Sequence, residues 1–295
     1  MMTPDGRILI IGGNSGIARH LLEASPRATA VARGTAADHR RVRAIGCYTR
    51  LTERDFEGFD AVINCAGIVS GDAGTLAAVN VDLPRRLAML ARAAGVRRFV
   101  TIGSFSIFGA RTQFDETAPP RPNDAYGASK LAAERALEGL LTADFTTLTV
   151  ALPAILGTTR VGKVERMIRW WQRFGTWPVP RGDVTRSMIG ADVAAGVLTA
   201  AAAGSNVGRV LAADPVPFRY RQVAAWLRQD VGGRFGLSNL PPSAVKALER
   251  VAPALHRSLM TDSWLPDEFN YTIAAGVATS LRPTLCAMLQ QDRKH

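Results

Sequence analysis

Residues 126–130 read Tyr-Gly-Ala-Ser-Lys, which places a phenol and an ammonium four positions apart, on one face of a helix. An ammonium beside a phenol lowers its pKa, and a tyrosine tuned in that way can give or take a proton at neutral pH. The same spacing occurs on ordinary amphipathic helix surfaces, so its neighbours decide its meaning. A second feature lies at the other end of the chain, where the apolar run Arg7-Ile8-Leu9-Ile10-Ile11 leads straight into Gly12-Gly13-Asn14-Ser15-Gly16-Ile17-Ala18. Gly12 permits a tight turn at a strand end. The helix after it offers unpaired N–H groups and the positive end of its dipole to a pyrophosphate. A glycine-rich turn can also serve packing alone, but between a first strand and a first helix it points to a dinucleotide.

An acid that reads the ribose 2′-hydroxyl is expected at the end of the second strand, about 20 residues on. Here that strand ends Ala32-Arg33-Gly34, and the first acid after it is Asp38. Arg33 cannot accept hydrogen bonds, but it can pair with a 2′-phosphate and stack on adenine. NADP(H) is therefore favoured over NAD(H), with a solvated surface arginine as the plain alternative.

These groups need a scaffold. Short apolar runs at residues 7–11, 29–32, 61–64, 99–102 and 148–152 alternate with helical stretches at 17–24, 83–94 and 125–141. That alternation predicts an α/β fold with a doubly wound parallel sheet, its strands apolar on both faces. Residues 191–203 add a helix and 209–212 a late strand. The expected plan is a dinucleotide-binding domain of residues 1–156 and about 188–215. A smaller, mostly helical C-terminal substrate lobe takes about 157–187 and 216–295. Within that lobe Trp170 and Trp171 stand among Arg160, Lys163, Arg166, Arg169 and Arg173, the pattern of a helix with aromatics inward and charges outward.

The 295 residues are 47% hydrophobic and 21% charged, as in a globular protein. The 36 basic and 25 acidic side chains leave a net charge of +11, which calls for an anionic partner or a solvated surface. No helix-turn-helix, zinc or aromatic-platform signature supports nucleic acid. No apolar run is long enough to span a membrane, and residues 1–6 lack the order of a secretory signal, so a cytoplasmic protein without a membrane partner is expected. Cys47, Cys65 and Cys286 form no disulfide framework, and the four scattered histidines predict no metal site.

Further motifs carry a resemblance. They are the Gly12–Ala18 turn, Asn64-Cys65-Ala66-Gly67 after a strand, Asn80-Val81-Asp82 opening a helix, and Ser104-Phe105-Ser106-Ile107-Phe108-Gly109. To these add Asp115-Glu116-Thr117 through Pro119 and Pro122 to Tyr126-Gly127-Ala128-Ser129-Lys130, then Arg186-Ser187-Met188-Ile189 and Asp192-Val193-Ala194. The chain resembles the extended short-chain dehydrogenase/reductases of the nucleotide-sugar epimerase/dehydratase/reductase type, whose fold is Rossmann. The resemblance implies that Ser104 polarises the reacting carbonyl, Tyr126 moves the proton and Lys130 orients the nicotinamide ribose. It places Asn80 in the proton relay. The cofactor contacts it implies are Gly12, Asn14, Ser15, Gly16, Ile17, Arg33, Ala66, Gly67, Pro153, Tyr126 and Lys130. On the substrate side it points to Ser104, Tyr126, Ser106 and Arg186. Ser106 is either a second hydroxyl near substrate or a buried turn serine, and Arg186 either a diphosphate ligand or an exposed arginine.

Departures sharpen the reading. Ala18 stands where a third glycine is common, and Ala151 where similar enzymes often carry an arginine, so an ion pair is expected to be missing. Arg50-Leu51-Thr52 replaces an acid expected after the third strand. Phe105 follows Ser104 instead of an Asp-Glu pair, which disfavours dehydration. The favoured function is an NADP(H)-dependent oxidoreductase acting on a 4-keto nucleotide-diphosphate sugar. The alternatives are a 4-epimerase with tightly bound NAD and a non-catalytic dinucleotide-binding subunit. Similar enzymes pair through helices around 83–94 and 127–141, which implies a homodimer. Arg33, Arg40, Arg41 and Arg43 would then lie near a phosphorylated ribose, and the arginines from Arg160 to Arg186 near a diphosphate.

Overall fold

The computed structural model describes residues 6–34, 40–113, 115, 117–158, 163–278 and 281–291, so Asp38, Glu116 and Arg160 lie outside the described residues. Six strands, β1 (Ile8–Ile11), β2 (Thr29–Arg33), β3 (Val42–Ile45), β4 (Ala61–Asn64), β5 (Arg98–Ser104) and β6 (Thr146–Leu152), join the strand Gly208–Leu211 in one parallel sheet. From one edge the order is Gly208–Leu211, β6, β5, β4, β1, β2, β3. The chain reverses its winding direction between β1 and β4, and ligands of such sheets bind at the carboxyl ends of the strands beside that point.

Burial follows the alternation of side chains along each strand. Ile8 and Ile10 of β1 pack on the helices α1 (Ala18–Ala24) and α6 (Ala191–Ala203). Leu9 and Ile11 face the other way, where α2 (Ala73–Ala77) leads into α3 (Leu83–Ala93) and α4 (Ala125–Glu138) comes next. Leu87, Ala88 and Ala91 of α3 and Leu137 of α4 share the core on that side. α6 has the limits expected from its alanine-rich sequence.

β3 is an element that the apolar pattern does not show. It is an edge strand with a half-exposed, mixed sequence, Val-Arg-Ala-Ile, held in register by Ala30 opposite Val42 and Arg33 opposite Ile45. It also gives two nearby arginines protein partners. Arg41 turns back to donate to the carbonyls of Ser25 (2.8 Å), Pro26 (2.9 Å) and Ala28 (3.1 Å), and to that of Leu22. Its guanidinium thus caps the end of α1. Arg43 pairs with Asp55 at 2.6 Å.

A second core gathers around Trp171, Phe218, Tyr220 and Phe235, with Leu281 and Leu285 of the last helix. It is built by α5 (Lys163–Phe174), α7 (Tyr220–Asp230) and the helices Pro242–Val251, Pro253–Met260 and Leu281–Gln291. Two short strand pairs, Thr185–Arg186 with Phe218–Arg219 and Thr176–Val179 with Gly236–Asn239, tie residues 163–187 to the segment beyond residue 216. The aromatic pair on α5 divides, contrary to the expectation that both point inward. Trp171 is buried and donates its indole N–H to the Gly236 carbonyl at 2.7 Å, whereas Trp170 is 42% exposed and stacks on Phe174 at 4.5 Å. Among the described residues no helix is long and apolar enough to cross a membrane, and no group of three or more His, Cys, Asp or Glu is placed to hold a metal.

Candidate active site

The site forms where β1, β4, β5 and β6 end. Gly12 leaves β1 with φ +99°, and a Cβ there would stand 2.9 Å from the Ala66 nitrogen and the Cys65 carbonyl carbon. Only glycine satisfies both the dihedral and the approach. The turn closes by Ser15 N–H donating to Gly12 O at 2.7 Å and Ala18 N–H to Ser15 O at 3.0 Å. Gly16 and Ile17 donate no backbone hydrogen bond among the described residues. Those donors, behind a turn with no room for a side chain, fit a pyrophosphate. Ile17 contributes only its amide, because its side chain is in the core, and Ala18 is fully buried where α1 meets the sheet.

Asn14 Nδ2 donates to the Arg33 carbonyl at 3.2 Å, fastening the turn to the end of β2 and leaving the Arg33 side chain exposed. Two residues that sequence reasoning missed share this corner. The Cys47 thiol is held below its usual pKa by the Thr49 hydroxyl, which donates to it at 3.1 Å, with help from the charges of Arg33 and Arg50. Tyr48 is raised by burial, against the Arg33 backbone amide and charge. Both come after β3, and a reader without β3 has no reason to bring them here.

The β4 loop is held by two asparagines. Asn64 Nδ2 donates to Thr101 Oγ1 (3.2 Å) and its Oδ1 accepts from Ala66 N–H (3.2 Å). Asn80 sits in a widened helical turn, Ala78–Asp82, between α2 and α3, where such turns often mark functional positions. Its amide accepts from Ile68 N–H (3.0 Å) and donates to Ile68 O (2.9 Å) and Ser129 Oγ (3.0 Å). Asn80 thus clips the loop of Ala66 and Gly67 to α4. Gly67 is needed for closeness: a Cβ there would stand 3.3 Å from Asn80 Oδ1 and 3.5 Å from Lys130 Nζ.

Asp124 caps α4, accepting from Gly127 N–H at 2.7 Å. On the first turns of that helix Tyr126 lies beside Ser104, the last residue of β5, and Lys130 Nζ donates to the Ile102 carbonyl at 3.0 Å. Burial moves the two groups in opposite directions. It pushes the Tyr126 phenol up, with the Asp124 charge adding to the rise and Ser104 opposing it, and it pushes Lys130 down to about 8. The expected lowering of the phenol by the ammonium is therefore corrected. Lys130 Nζ lies over the Tyr126 ring, 5.9 Å from its centre, and is hydrogen-bonded to the Ile102 carbonyl, and desolvation is the largest influence on the phenol. Beside them Cys65 is pushed up to about 12 by burial and stays a thiol. Pro153 comes directly after β6, half-buried, at the same carboxyl edge of the sheet.

Ser104 Oγ donates to Ser106 Oγ at 3.1 Å and accepts from Ser106 N–H at 3.2 Å. Ser106 then opens into a cavity of about 190 Å³ that also takes in Arg111, Asn123, Arg186, Arg257 and Ser263. Arg186 is held there by donating to the carbonyls of Arg257 (2.9 Å) and Thr261 (2.6 Å). Trp264 N–H donates to the Thr112 carbonyl at 3.0 Å, so the segment after β5 and the one after the helix Pro253–Met260 meet beside the cavity. Of these residues the sequence pointed to Ser106 and Arg186. Arg111 and Arg257 lie in stretches with no motif.

Residues 8–208 match the model of the NAD dependent epimerase/dehydratase family. The chain belongs to that family. Its members include the extended short-chain dehydrogenase/reductases, so the motif resemblance and the enzymatic reading agree with the match. Among solved structures, MoeE5 in complex with UDP-glucose and NAD is 21% identical, with 98% of this chain and 99% of that one covered at a TM-score of 0.73. The UDP-glucuronic acid 4-epimerase from Bacillus cereus in complex with NAD is 15% identical over 97% of this chain and 99% of that one, TM-score 0.74. RMD from Pseudomonas aeruginosa complexed with NADPH is 16% identical over 98% and 100%, TM-score 0.67. At such identities the likeness establishes the fold. No curated protein matches the sequence significantly. The family's Rossmann sheet and the helical segments beside it are thus both present. On the strand beside Ala151, Arg209 Nε donates to Glu134 on α4 at 2.7 Å.

Proposed function

We propose that this protein is an NADP(H)-dependent oxidoreductase that reduces the 4-keto group of a nucleotide-diphosphate sugar. The observation that carries the reading is Tyr126 beside Ser104, with Lys130 over its ring, next to an arginine-lined cavity. A bound nicotinamide dinucleotide would supply the hydride. The raised Tyr126 phenol holds its proton at neutral pH and can give it to the substrate oxygen, while Ser104 donates a hydrogen bond to the same oxygen. Lys130 presents its ammonium to the ribose. Asn14 and Arg33 receive the adenosine 2′-phosphate, and Arg186, with Arg111 and Arg257, receives the substrate diphosphate. Two copies would pair in the cytoplasm through α3 and α4, where Met89, Ala128 and Ala132 are exposed.

Tyr126→Phe tests the reading. NADPH affinity stays within about twofold and turnover of a UDP-4-keto sugar falls by roughly 10²–10⁴. Undiminished turnover would overturn the mechanism. The second reading, a 4-epimerase, draws on structural neighbours solved with NAD. Stoichiometric NAD released from the denatured protein would select it.

A further inference from the structure

Glu134 is a carboxylate on α4, one turn beyond Lys130, and is only 3% exposed. A charge taken so far out of water needs a partner. That partner is Arg209, on the edge strand Gly208–Leu211, whose own side chain is largely covered. The Arg209 guanidinium makes a second contact. It lies over the ring of Phe108, 5.6 Å from the centre. Phe108 is buried and ends the short helical turn Phe105–Phe108 that leaves Ser104. One guanidinium therefore holds the helix that carries Tyr126 and Lys130 through an ion pair, and the turn that carries Ser104 and Ser106 through a cation–π contact. Arg209 faces Thr149 across the strand pair, and Thr149, Glu134, Asn80 and Lys130 line one small internal cavity, so the pair is contiguous with the Lys130 environment.

We propose that Arg209 is a positioning residue that sets how closely Ser104 approaches Tyr126 by clamping α4 to the turn after β5. The proposal rests on the reading of Ser104 and Tyr126 as the proton-transfer pair. The chain has four tyrosines, so a protein with ¹³Cζ-labelled tyrosine gives four signals, and loss of one in Tyr126→Phe assigns Tyr126. Ser104→Ala removes the hydroxyl beside the phenol and must move that signal in the otherwise native protein. In Arg209→Met that approach is already lost, so adding Ser104→Ala moves the signal by less than half as much. Arg209→Lys, which keeps a charge for Glu134, restores most of the response. With a UDP-4-keto sugar and NADPH, Arg209→Met lowers kcat roughly 10- to 100-fold and leaves KM within about twofold. If Arg209→Met does not fold, Arg209→Met with Glu134→Gln, which leaves no unpaired buried charge, carries the same measurement. A full Ser104→Ala response in either folded variant overturns the proposal. The signal reports the clamp without any turnover, so an active Tyr126→Phe enzyme would sink the proposed mechanism separately.

Discussion

Lys130 is a group whose burial has a calculable consequence at neutral pH, where its charged form prevails. Its ammonium falls from 10.5 to about 8 because folding takes it out of water. That gap of roughly 2.5 pK units, at about 1.4 kcal/mol each, means that folding with Lys130 charged costs about 3 kcal/mol. The folded state holds this proton more weakly than the unfolded chain does. The protein therefore gains stability as pH rises from about 8 towards 10.5, and the full cost is present below about 8. Lys130→Met keeps the stem and removes the charge, but leaves the Ile102 carbonyl without its donor, a loss of about 1 kcal/mol. At about pH 7 the nucleotide-free variant is expected to be more stable than the native protein by about 2 kcal/mol, with the difference close to zero by about pH 9.5. Urea unfolding followed by tryptophan fluorescence at both pH values measures it, and subtracting variant from native protein cancels the titrating groups that do not interact with Lys130. A difference that stays constant with pH, or a variant weaker than the native protein at about pH 7, would refute the reasoning. The same variant should lose most turnover, the usual exchange of stability for function at an active site.

Three further outcomes are expected. Gly12→Ala meets both a left-handed dihedral and the backbone of Cys65 and Ala66, so it should weaken dinucleotide binding at least tenfold by isothermal titration and cost about 1–3 kcal/mol in urea unfolding. Arg33→Asp should reverse the ratio of NADPH to NADH affinity, and an unchanged ratio in the same titrations would reject the 2′-phosphate assignment. Arg186→Ala removes a guanidinium held at the cavity by Arg257 and Thr261, so KM for a UDP-4-keto sugar should rise about tenfold or more with kcat little changed. A fall in kcat alone would place Arg186 away from the diphosphate.

Much of the site was legible in the sequence because its signals are local. A strand running into Gly12, a helix with Tyr126 and Lys130 four positions apart, and the alanine-rich run of α6 are set by turn geometry and helical spacing within a dozen residues. These determined the sheet, the helices on its two faces and Tyr126 and Lys130 as candidates, while Ser104 came from the resemblance to a known family. β3 escaped because a half-exposed edge strand has no apolar run to announce it. With it went the true partners of Arg41 and Arg43 and the nearness of Cys47 and Tyr48 to Arg33.

The decisions left to the tertiary structure depend on groups far apart in the chain. Arg209 reaches Glu134 across 75 positions, and Arg186 finds the Arg257 carbonyl across 71. The direction in which Tyr126 titrates was misjudged from the motif because spacing shows that an ammonium is near but not how much water folding removes. Desolvation is the sum over every segment packed around the phenol, and here it exceeds the lowering by the Ser104 hydroxyl. Sequence named the atoms that can move a proton, and the fold determined how tightly each one holds it.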